Sequence, residues 1–460
     1  MLASLLATGL FLSLQTPAAE ASAPIEPLAR ALIDGEEVPG LVVAWVAKDG
    51  TSGTLALGKR GRDDARAMPS DAVFEIGSLT KAFTGLCLTR AAARGELDLE
   101  DPLAPLLPEP LRTKAAENME LIHLATHTAG LPEIPTNLVR DVSHFTVDYS
   151  GYGEADLEDF LRGLTLLTPP GKTWLYSNAG FGLLGQALAW RAGTSYEVLV
   201  RREVIEPLGL VSTAITLTPE LERRFVPGHD PNGDPVPPME FGALAGCGAL
   251  RSDAADLLRF ACALRDGPER EEAESDAESE LGHALVLATT VAFRQPSGVG
   301  VAPGWNLALD NATYFHDGQT SGFTGFVSFD RVHGTVVVVL ANGSSPRVPE
   351  LGVLVLRQLL GLAVQPPSIE VPARLETDQL EVLTGSYAAP GLAVEVTRDG
   401  DHLYAKIPGQ PAYRLFPRGP LHFTYRGVPA TIEFQRGGDG AASLLILRQN
   451  GREFRCPRKP

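Results

Sequence analysis

The sequence predicts a mixed α/β domain followed by a separate all-β barrel, and three observations carry that expectation. A strand, turn, strand signal near the N-terminus and apolar runs at residues 327–329 and 336–340 bracket a long stretch of helical and loop patterns. Beyond Gln365-Pro366-Pro367 the pattern changes to short alternating strands separated by glycine turns. The 460 residues, 44% of them hydrophobic, suffice for two or three domains without disulfide staples.

Taken in order, Pro27 to Ile33 reads as a short helix. Leu41 to Ala47, the turn Lys48-Asp49-Gly50 and Thr54 to Leu57 then form a hairpin signal. Phe74 to Arg94 carries helix formers with apolar residues at three- and four-residue spacing and stops at Arg94-Gly95, a suitable C-cap. Helices and loops dominate to about residue 265. Glu269 to Glu280 clusters like charge, the pattern of a solvated or mobile surface segment. Val336 to Leu340 is continuously apolar, as in a strand buried on both faces, and Leu351 to Leu362 reads as a closing helix. Residues 392–396, 402–406, 430–434 and 443–447 supply the barrel strands. The expected division is 1–23 as a signal peptide, 24–365 as the main domain and 366–460 as the barrel.

The leader reading rests on an uncharged segment, Met1 to Ala19, whose apolar part from Leu5 to Leu14 is too short to span a bilayer. Ala21-Ser22-Ala23 follows as a small-x-small cleavage pattern, although the usual basic n-region is missing. A periplasmic or secreted protein without a stable membrane span is expected. Lys and Arg total 39 against 56 Asp and Glu, a formal charge of −17 with no basic stripe, which argues against a nucleic-acid partner. Cys87, Cys247, Cys262 and Cys456 lack metal-binding spacing and read as buried small hydrophobes. A Cys247–Cys262 disulfide is conceivable in an oxidising compartment.

Three motifs carry chemistry. Ser78 and Lys81, in Phe74-Glu-Ile-Gly-Ser-Leu-Thr-Lys81, stand one helical turn apart on one face. A serine hydroxyl needs a base within hydrogen-bond reach, and a desolvated amine can lose its proton to become one. Tyr176-Ser177-Asn178 follows Pro169-Pro170-Gly171 and leads into a helical pattern; Tyr176 could shuttle a proton and the Asn178 amide could orient a substrate carbonyl. His316-Asp317-Gly318-Gln319 offers a donor side chain and a glycine that permits close backbone approach by a ligand. Each motif alone also fits a plain structural role: a capping serine with a solvated lysine, a packed tyrosine, a structural histidine.

Taken together, the order Ser-x-x-Lys, Tyr-x-Asn and His-x-Gly resembles the penicillin-recognising serine hydrolases: class C β-lactamases, D-Ala-D-Ala carboxypeptidase-type penicillin-binding proteins and family VIII esterases. His123-Leu-Ala-Thr-His127-Thr-Ala-Gly-Leu-Pro and Gly246-Cys-Gly-Ala-Leu-Arg-Ser-Asp look like further landmarks over roughly residues 25–362. The resemblance implies an antiparallel sheet flanked by helices beside an all-helical region. The C-terminal module looks like a lipocalin-like domain. By the same resemblance Ser78 is the acylated nucleophile, Lys81 its base or proton partner and Tyr176 the group that protonates the leaving group and activates water. Asn178 then holds the substrate amide, and the backbone N–H groups of Ser78 and Gln319 form the oxyanion hole. Substrate binding falls to Asn178, His316, Gly318 and Gln319. The departure is His316, where the family usually has lysine: a histidine partly cationic near neutral pH would grip a carboxylate more weakly and pH-dependently.

No cofactor or metal is expected. His123 and His127 have the spacing of a zinc helix without its glutamate, Asp230 to Asp234 reads as a β-turn rather than a calcium loop, and Gly-x-Ser-x-Gly does not occur. Asn311-Ala-Thr and Asn342-Gly-Ser match glycosylation acceptors but need no function. The function expected is an acyl-enzyme serine hydrolase acting on D-amino-acid peptides, β-lactams or small esters. The alternatives are a catalytically weak penicillin-binding-like sensor and an interaction protein using its barrel. The partner is a small-molecule or peptide substrate, and the oligomeric state is left open.

Overall fold

The structure, a computed structural model, describes residues 25–138, 147, 149–272, 276–426, 429–438 and 440–459. The expected leader lies outside them. The main domain is built on one eight-stranded antiparallel sheet. Its strands are β1 (Gly40–Val46), β2 (Ser52–Gly58), β3 (Phe293–Arg294), β4 (Gly300–Ala302), β5 (Trp305–Leu307), β6 (Thr313–Gln319), β7 (Thr324–Asp330) and β8 (Val336–Ala341), ordered β2-β1-β8-β7-β6-β5-β4-β3. The early hairpin therefore pairs with the last strand, Leu41 opposite Ala341.

The apolar run of β8 is explained by burial on both faces. Val336, Val338 and Leu340 point into the core shared with the helical region, whereas Val337, Val339 and Ala341 face the terminal helices α1 (Ile25–Asp34) and α6 (Arg347–Leu359). The helical region holds α2 (Thr80–Ala93), α3 (Asn178–Arg191), α4 (Ala254–Arg265) and α5 (Asp276–Thr289). Helices α2 and α3 are apolar almost all round because they are buried almost all round, and neither presents a polar face.

Several expectations are corrected. The helix expected from Phe74 begins only at Thr80. Phe74-Glu75 instead pairs with Arg251-Ser252 as a small ribbon, and Gly77, at φ +50°, breaks the chain into a short 3-10 turn. The acidic segment is folded over its described residues: α5 begins at Asp276, and Glu280 faces Arg90 and Arg94 at 3.5 and 3.7 Å. The segment's Glu269, Glu272, Asp276 and Glu278 side chains are exposed, as a solvated segment requires, while Glu280 lies against arginines at the C-terminal end of α2. Helix α6 starts four residues earlier than expected, since Pro349 in its first turn removes an N–H that has no intrahelical partner. All four cysteines are free thiols, so the Cys247–Cys262 disulfide does not form. Asn342, one of the two acceptor motifs, is fully buried and accepts the Gly40 N–H at 2.9 Å.

Eight consecutive antiparallel strands form the C-terminal module: β9 (Gly385–Ala389), β10 (Leu392–Asp399), β11 (His402–Lys406), β12 (Ala412–Gly419), β13 (His422–Thr424), β14 (Ala430–Arg436), β15 (Ala442–Gln449) and β16 (Arg452–Pro457). The ring nearly closes, with the Lys459 N–H donating to the Ser386 carbonyl at 2.7 Å. Alternation sends Val394 and Val396 inward, where they meet Leu415, Phe423, Phe434 and Leu445, and leaves Glu395 and Thr397 exposed. Among the described residues no helix is long and apolar enough to cross a membrane.

Candidate active site

The nucleophile turn is held by backbone on both sides. The Ile76 N–H donates to the Leu250 carbonyl at 3.1 Å, and the Thr80 hydroxyl accepts the Leu250 N–H at 3.1 Å. On the other side the turn lies against β6 with no room for side chains. A Cβ at Gly77 would sit 2.8 Å from the Gln319 nitrogen, and one at Gly318 would sit 2.0 Å from the Ile76 carbonyl oxygen. Gly318 thus lies behind the cavity wall, where its missing Cβ admits the protein's own Ile76-Gly77 backbone rather than a ligand. Close contact with Gly77 brings the Gln319 backbone beside Ser78.

Ser78 is half-buried at the start of this turn, with Lys81 fully buried beneath it. The Lys81 Nζ donates to Ser78 Oγ at 2.8 Å and to the Cys247 carbonyl at 2.8 Å. Burial lowers the Lys81 pKa from its ordinary 10.5 to about 8 because the charged ammonium is desolvated. Ser78 Oγ also shares a 2.7 Å hydrogen bond with the Tyr176 hydroxyl. Burial pushes the Tyr176 phenol upward, so it remains a phenol where Lys81 already titrates. Of the two groups bonded to Ser78 Oγ, Lys81 is therefore the one that gives up its proton at the lower pH, and the Tyr176 hydroxyl stays a donor.

Tyr176 owes its position to His127, to which sequence reasoning assigned no role. His127 adopts φ +59°, its carbonyl accepts the Leu175 N–H at 2.8 Å and its Nδ1 accepts the Ser177 N–H at 3.0 Å. Both neighbours of Tyr176 are thereby tied to one residue, whose ring lies 4.5 Å from the tyrosine ring. Burial holds the His127 pKa well below the ordinary value. No spacing rule connects residues so far apart in the chain. Ser177, not Asn178, caps α3, accepting the Gly180 N–H at 2.8 Å. That frees the Asn178 amide, whose Nδ2 donates to the Tyr149 hydroxyl at 3.1 Å. Tyr149, stacked on Phe241 at 5.2 Å, was not found from sequence because no local pattern surrounds it. His123 is spent on its own helix, where its Nδ1 accepts the Glu120 N–H at 3.2 Å.

His316 departs most from expectation. It is buried beside Lys81, and its Nδ1 donates to the Asp317 carbonyl at 2.6 Å, which leaves Nε2 as an acceptor. Desolvation first, and the Lys81 charge second, lower its pKa to about 4. The expected partial positive charge near neutral pH is absent. We predict that the rate ratio between a cephalosporin and a neutral ester stays flat from pH 7 down to 5.5. His316→Lys should raise that ratio about tenfold, the effect of about 1.4 kcal/mol from one charge-assisted contact. A wild-type ratio that climbs as pH falls through 6.5 would contradict the neutral assignment.

These side chains open onto one cavity of about 430 Å³, lined by Ser78, Tyr176, Asn178, His316 and Gln319 together with Trp174, Trp305 and others. Among its described lining residues are two carboxylate side chains, Glu133 and Asp317, and no lysine or arginine. Six of the seven sequence-predicted site residues thus meet at one place, five in the wall and Lys81 beneath it, with Gly318 packed behind.

Comparison with known proteins agrees with this geometry. Penicillin-binding protein 4* of Bacillus subtilis (strain 168) is 26% identical over 424 residues, covering 85% of this chain and 88% of that protein. Residues 1–360 cannot supply that share, so the likeness extends into the barrel. The crystal structure of a class C beta-lactamase from Rhodobacter sphaeroides superposes with a TM-score of 0.60 at 25% identity, covering 73% of this chain and 98% of that one. A beta-lactamase/D-alanine carboxypeptidase from Pseudomonas syringae shares the fold, with a TM-score of 0.63 at 23% identity over 74% of this chain and 98% of that one. The Beta-lactamase family description matches residues 25–360, nearly the whole helix and sheet domain. The chain belongs to the beta-lactamase family of serine hydrolases.

Proposed function

We propose that this enzyme hydrolyses small esters and neutral D-amino-acid amides through an acyl-enzyme on Ser78, in preference to carboxylate-bearing β-lactams. The observation that carries the reading is the placement of Ser78 Oγ between the Lys81 amine at 2.8 Å and the Tyr176 hydroxyl at 2.7 Å, at the wall of an open cavity. With Lys81 as the free amine, its lone pair accepts the Ser78 proton as Oγ attacks the substrate carbonyl carbon. The developing oxyanion is stabilised by the backbone N–H groups of Ser78 and Gln319. As the bond to the leaving group breaks, the Tyr176 hydroxyl protonates it and is reprotonated from Lys81. In the second half water attacks the acyl carbon while Tyr176 takes its proton and hands its own to the Lys81 amine, and the Lys81 ammonium then protonates Ser78 Oγ as the acyl bond breaks. Asn178, oriented by Tyr149, binds the acyl-side amide.

The neutral His316 and the carboxylates Glu133 and Asp317 support the preference against anionic substrates. Export through the leader at residues 1–23, with work outside the cytoplasm, completes the proposal. The test is to incubate the protein with p-nitrophenyl butyrate, a C-terminally amidated D-Ala-D-Ala peptide and a cephalosporin, mapping any acyl mass by peptide digestion. The expected result is a burst on the ester, an acyl mass on the peptide that contains Ser78, and slowest turnover with the cephalosporin. No adduct and no turnover with all three would refute hydrolase action on these substrates, and an adduct that is never released would mark a sensor instead.

A further inference from the structure

The cavity wall contains no residue beyond Gln319, so no part of the barrel touches it among the described residues. The barrel is nevertheless seated on the catalytic domain: Arg426 donates to the Gly35 and Glu36 carbonyls, Arg62 meets His402, and a further seat is one turn. Residues 230–234 join the two-residue strands Gly228-His229 and Pro235-Val236. Within the turn, Asp230 Oδ1 accepts the N–H groups of Asn232 and Asp234 at 2.8 and 3.0 Å, and Gly233 takes φ +83°. The turn is therefore preorganised to project Asn232, which is buried against the edge of β12.

There the Asn232 side chain imitates a paired strand. Its Oδ1 accepts the Arg414 N–H at 2.8 Å and its Nδ2 donates to the Ala412 carbonyl at 3.1 Å. The Arg414 guanidinium, also buried, donates to the Asn232 carbonyl at 3.3 Å and to Glu36 at 2.9 Å. Beside it the Tyr404 hydroxyl donates to Asp234 at 3.0 Å, and Arg62 pairs with the same carboxylate. Apart from the Arg414 Nε, which has no partner, the polar groups named here are paired, and such pairing favours one geometry.

The other side of the same hairpin bears on the oxyanion strand. The His229 N–H donates to the Gly322 carbonyl at 3.0 Å, and the His229 carbonyl accepts the Ser344 N–H at 3.0 Å. Gly228 and Gly322 pack without side chains between them, their backbones too close for a Cβ on either. Gly322 belongs to the tight turn that directly follows Gln319, closed by the Thr320 N–H to the Phe323 carbonyl at 3.0 Å. Ser344 in turn accepts the Gln319 side-chain amide at 2.6 Å. The barrel thus grips a hairpin that braces Gln319 from two directions.

We propose that the C-terminal barrel acts as a brace for the oxyanion hole, with Asn232 the positioning residue that transmits it. The proposal rests on Ser78 acting as an acylated nucleophile. It requires no contact between barrel and substrate, so it separates from a lid or a specificity flap by which kinetic constant moves.

The experiment uses the full chain carrying Asn232→Ala, with Tyr404→Phe as a milder second variant, assayed on p-nitrophenyl butyrate and on its thiono analogue, in which sulfur replaces the carbonyl oxygen. A well-aligned oxyanion hole favours oxygen over sulfur, and a loosened one discriminates less. Removing an oxyanion donor outright costs roughly 100- to 1000-fold. Displacing one should cost Asn232→Ala about tenfold in both acylation and deacylation, and so in kcat, with KM within about twofold of wild type and a smaller oxo-to-thiono ratio. Tyr404→Phe should lower the rate about twofold and shift the ratio the same way, and it decides the matter if Asn232→Ala does not fold. Folded variants with wild-type rates, or with a raised KM and unchanged kcat, would overturn the brace. Wild-type protein that shows no burst on the ester would instead defeat the Ser78 reading, and the brace with it.

Discussion

Lys81→Met is expected to lower the acylation rate of Ser78 by about 10²- to 10⁴-fold, the range assigned to a positioned general base, while leaving the protein folded and about as stable as wild type at neutral pH. Both expectations trace to the same buried amine. The amine is held in a fully buried site because the serine needs a base there, and burial is what brings its pKa down to about 8. Relative to an ordinary lysine at 10.5 the shift amounts to about 3 kcal/mol of penalty on the ammonium form. Methionine fills much the same volume with no charge to desolvate. Set against the loss of two charge-assisted hydrogen bonds, to Ser78 and Cys247, at about 1.5 kcal/mol or more each, the penalty is cancelled at pH 7.

The pH dependence has a definite sign. Between about 8 and 10.5 the unfolded chain holds the Lys81 proton and the folded chain does not, so wild-type stability rises with pH through that window. Below about 8 both states are protonated and the penalty is present in full. Urea titrations of the two proteins should show Lys81→Met losing stability relative to wild type from pH 7 to pH 10. In the wild type, acylation should rise through pH 8 as the free amine forms, and this limb should vanish in the variant. A stability difference unchanged from pH 7 to pH 10 together with a retained kinetic limb would assign the base elsewhere.

Gly318→Ala is expected to destabilise the protein by about 2 to 4 kcal/mol and to lower kcat in whatever fraction folds. The added methyl would sit 2.0 Å from the Ile76 carbonyl oxygen and 3.1 Å from Leu79 Cγ. Neither neighbour is a flexible side-chain tip: one is backbone and the other belongs to the turn that carries Ser78. Relief requires β6 and the nucleophile turn to separate, which moves the Gln319 N–H away from Ser78. Thermal unfolding and ester kinetics on the soluble variant check this. A variant with wild-type Tm and kcat would show that the two backbones are not packed as tightly as described. Gly325→Ala is the useful contrast, since its nearest neighbour is the flexible Leu340 Cδ2 at 3.0 Å.

Much of the site was legible before the fold was seen, because chemistry at close sequence range leaves a local mark. Ser78 and Lys81 are joined by helical periodicity, and Tyr176 and Asn178 by the start of a helix. The barrel was legible for the related reason that period-two alternation and glycine turns are short-range properties. What escaped was the long-range environment. His127 could be seen, but not that its carbonyl and ring would hold the Tyr176 loop. Tyr149 carried no signal at all. The acidic segment is solvated at Glu269, Glu272, Asp276 and Glu278 as its composition says, but the pairing of Glu280 with Arg90 and Arg94, far earlier in the chain, left no local mark.

His316 shows the division most clearly. Its place in a His-x-Gly strand, the order of the three motifs and the two-part architecture follow from residue types and their spacing, which a linear chain carries whether or not it is folded. Its charge does not, because protonation is set by desolvation and by the distance to Lys81, and both exist only once β6 is packed against the nucleophile turn. The same holds for the barrel. Its strands are written locally, but its hold on the oxyanion strand through Asn232 depends on a turn, a sheet edge and a glycine contact brought together from three distant stretches of chain.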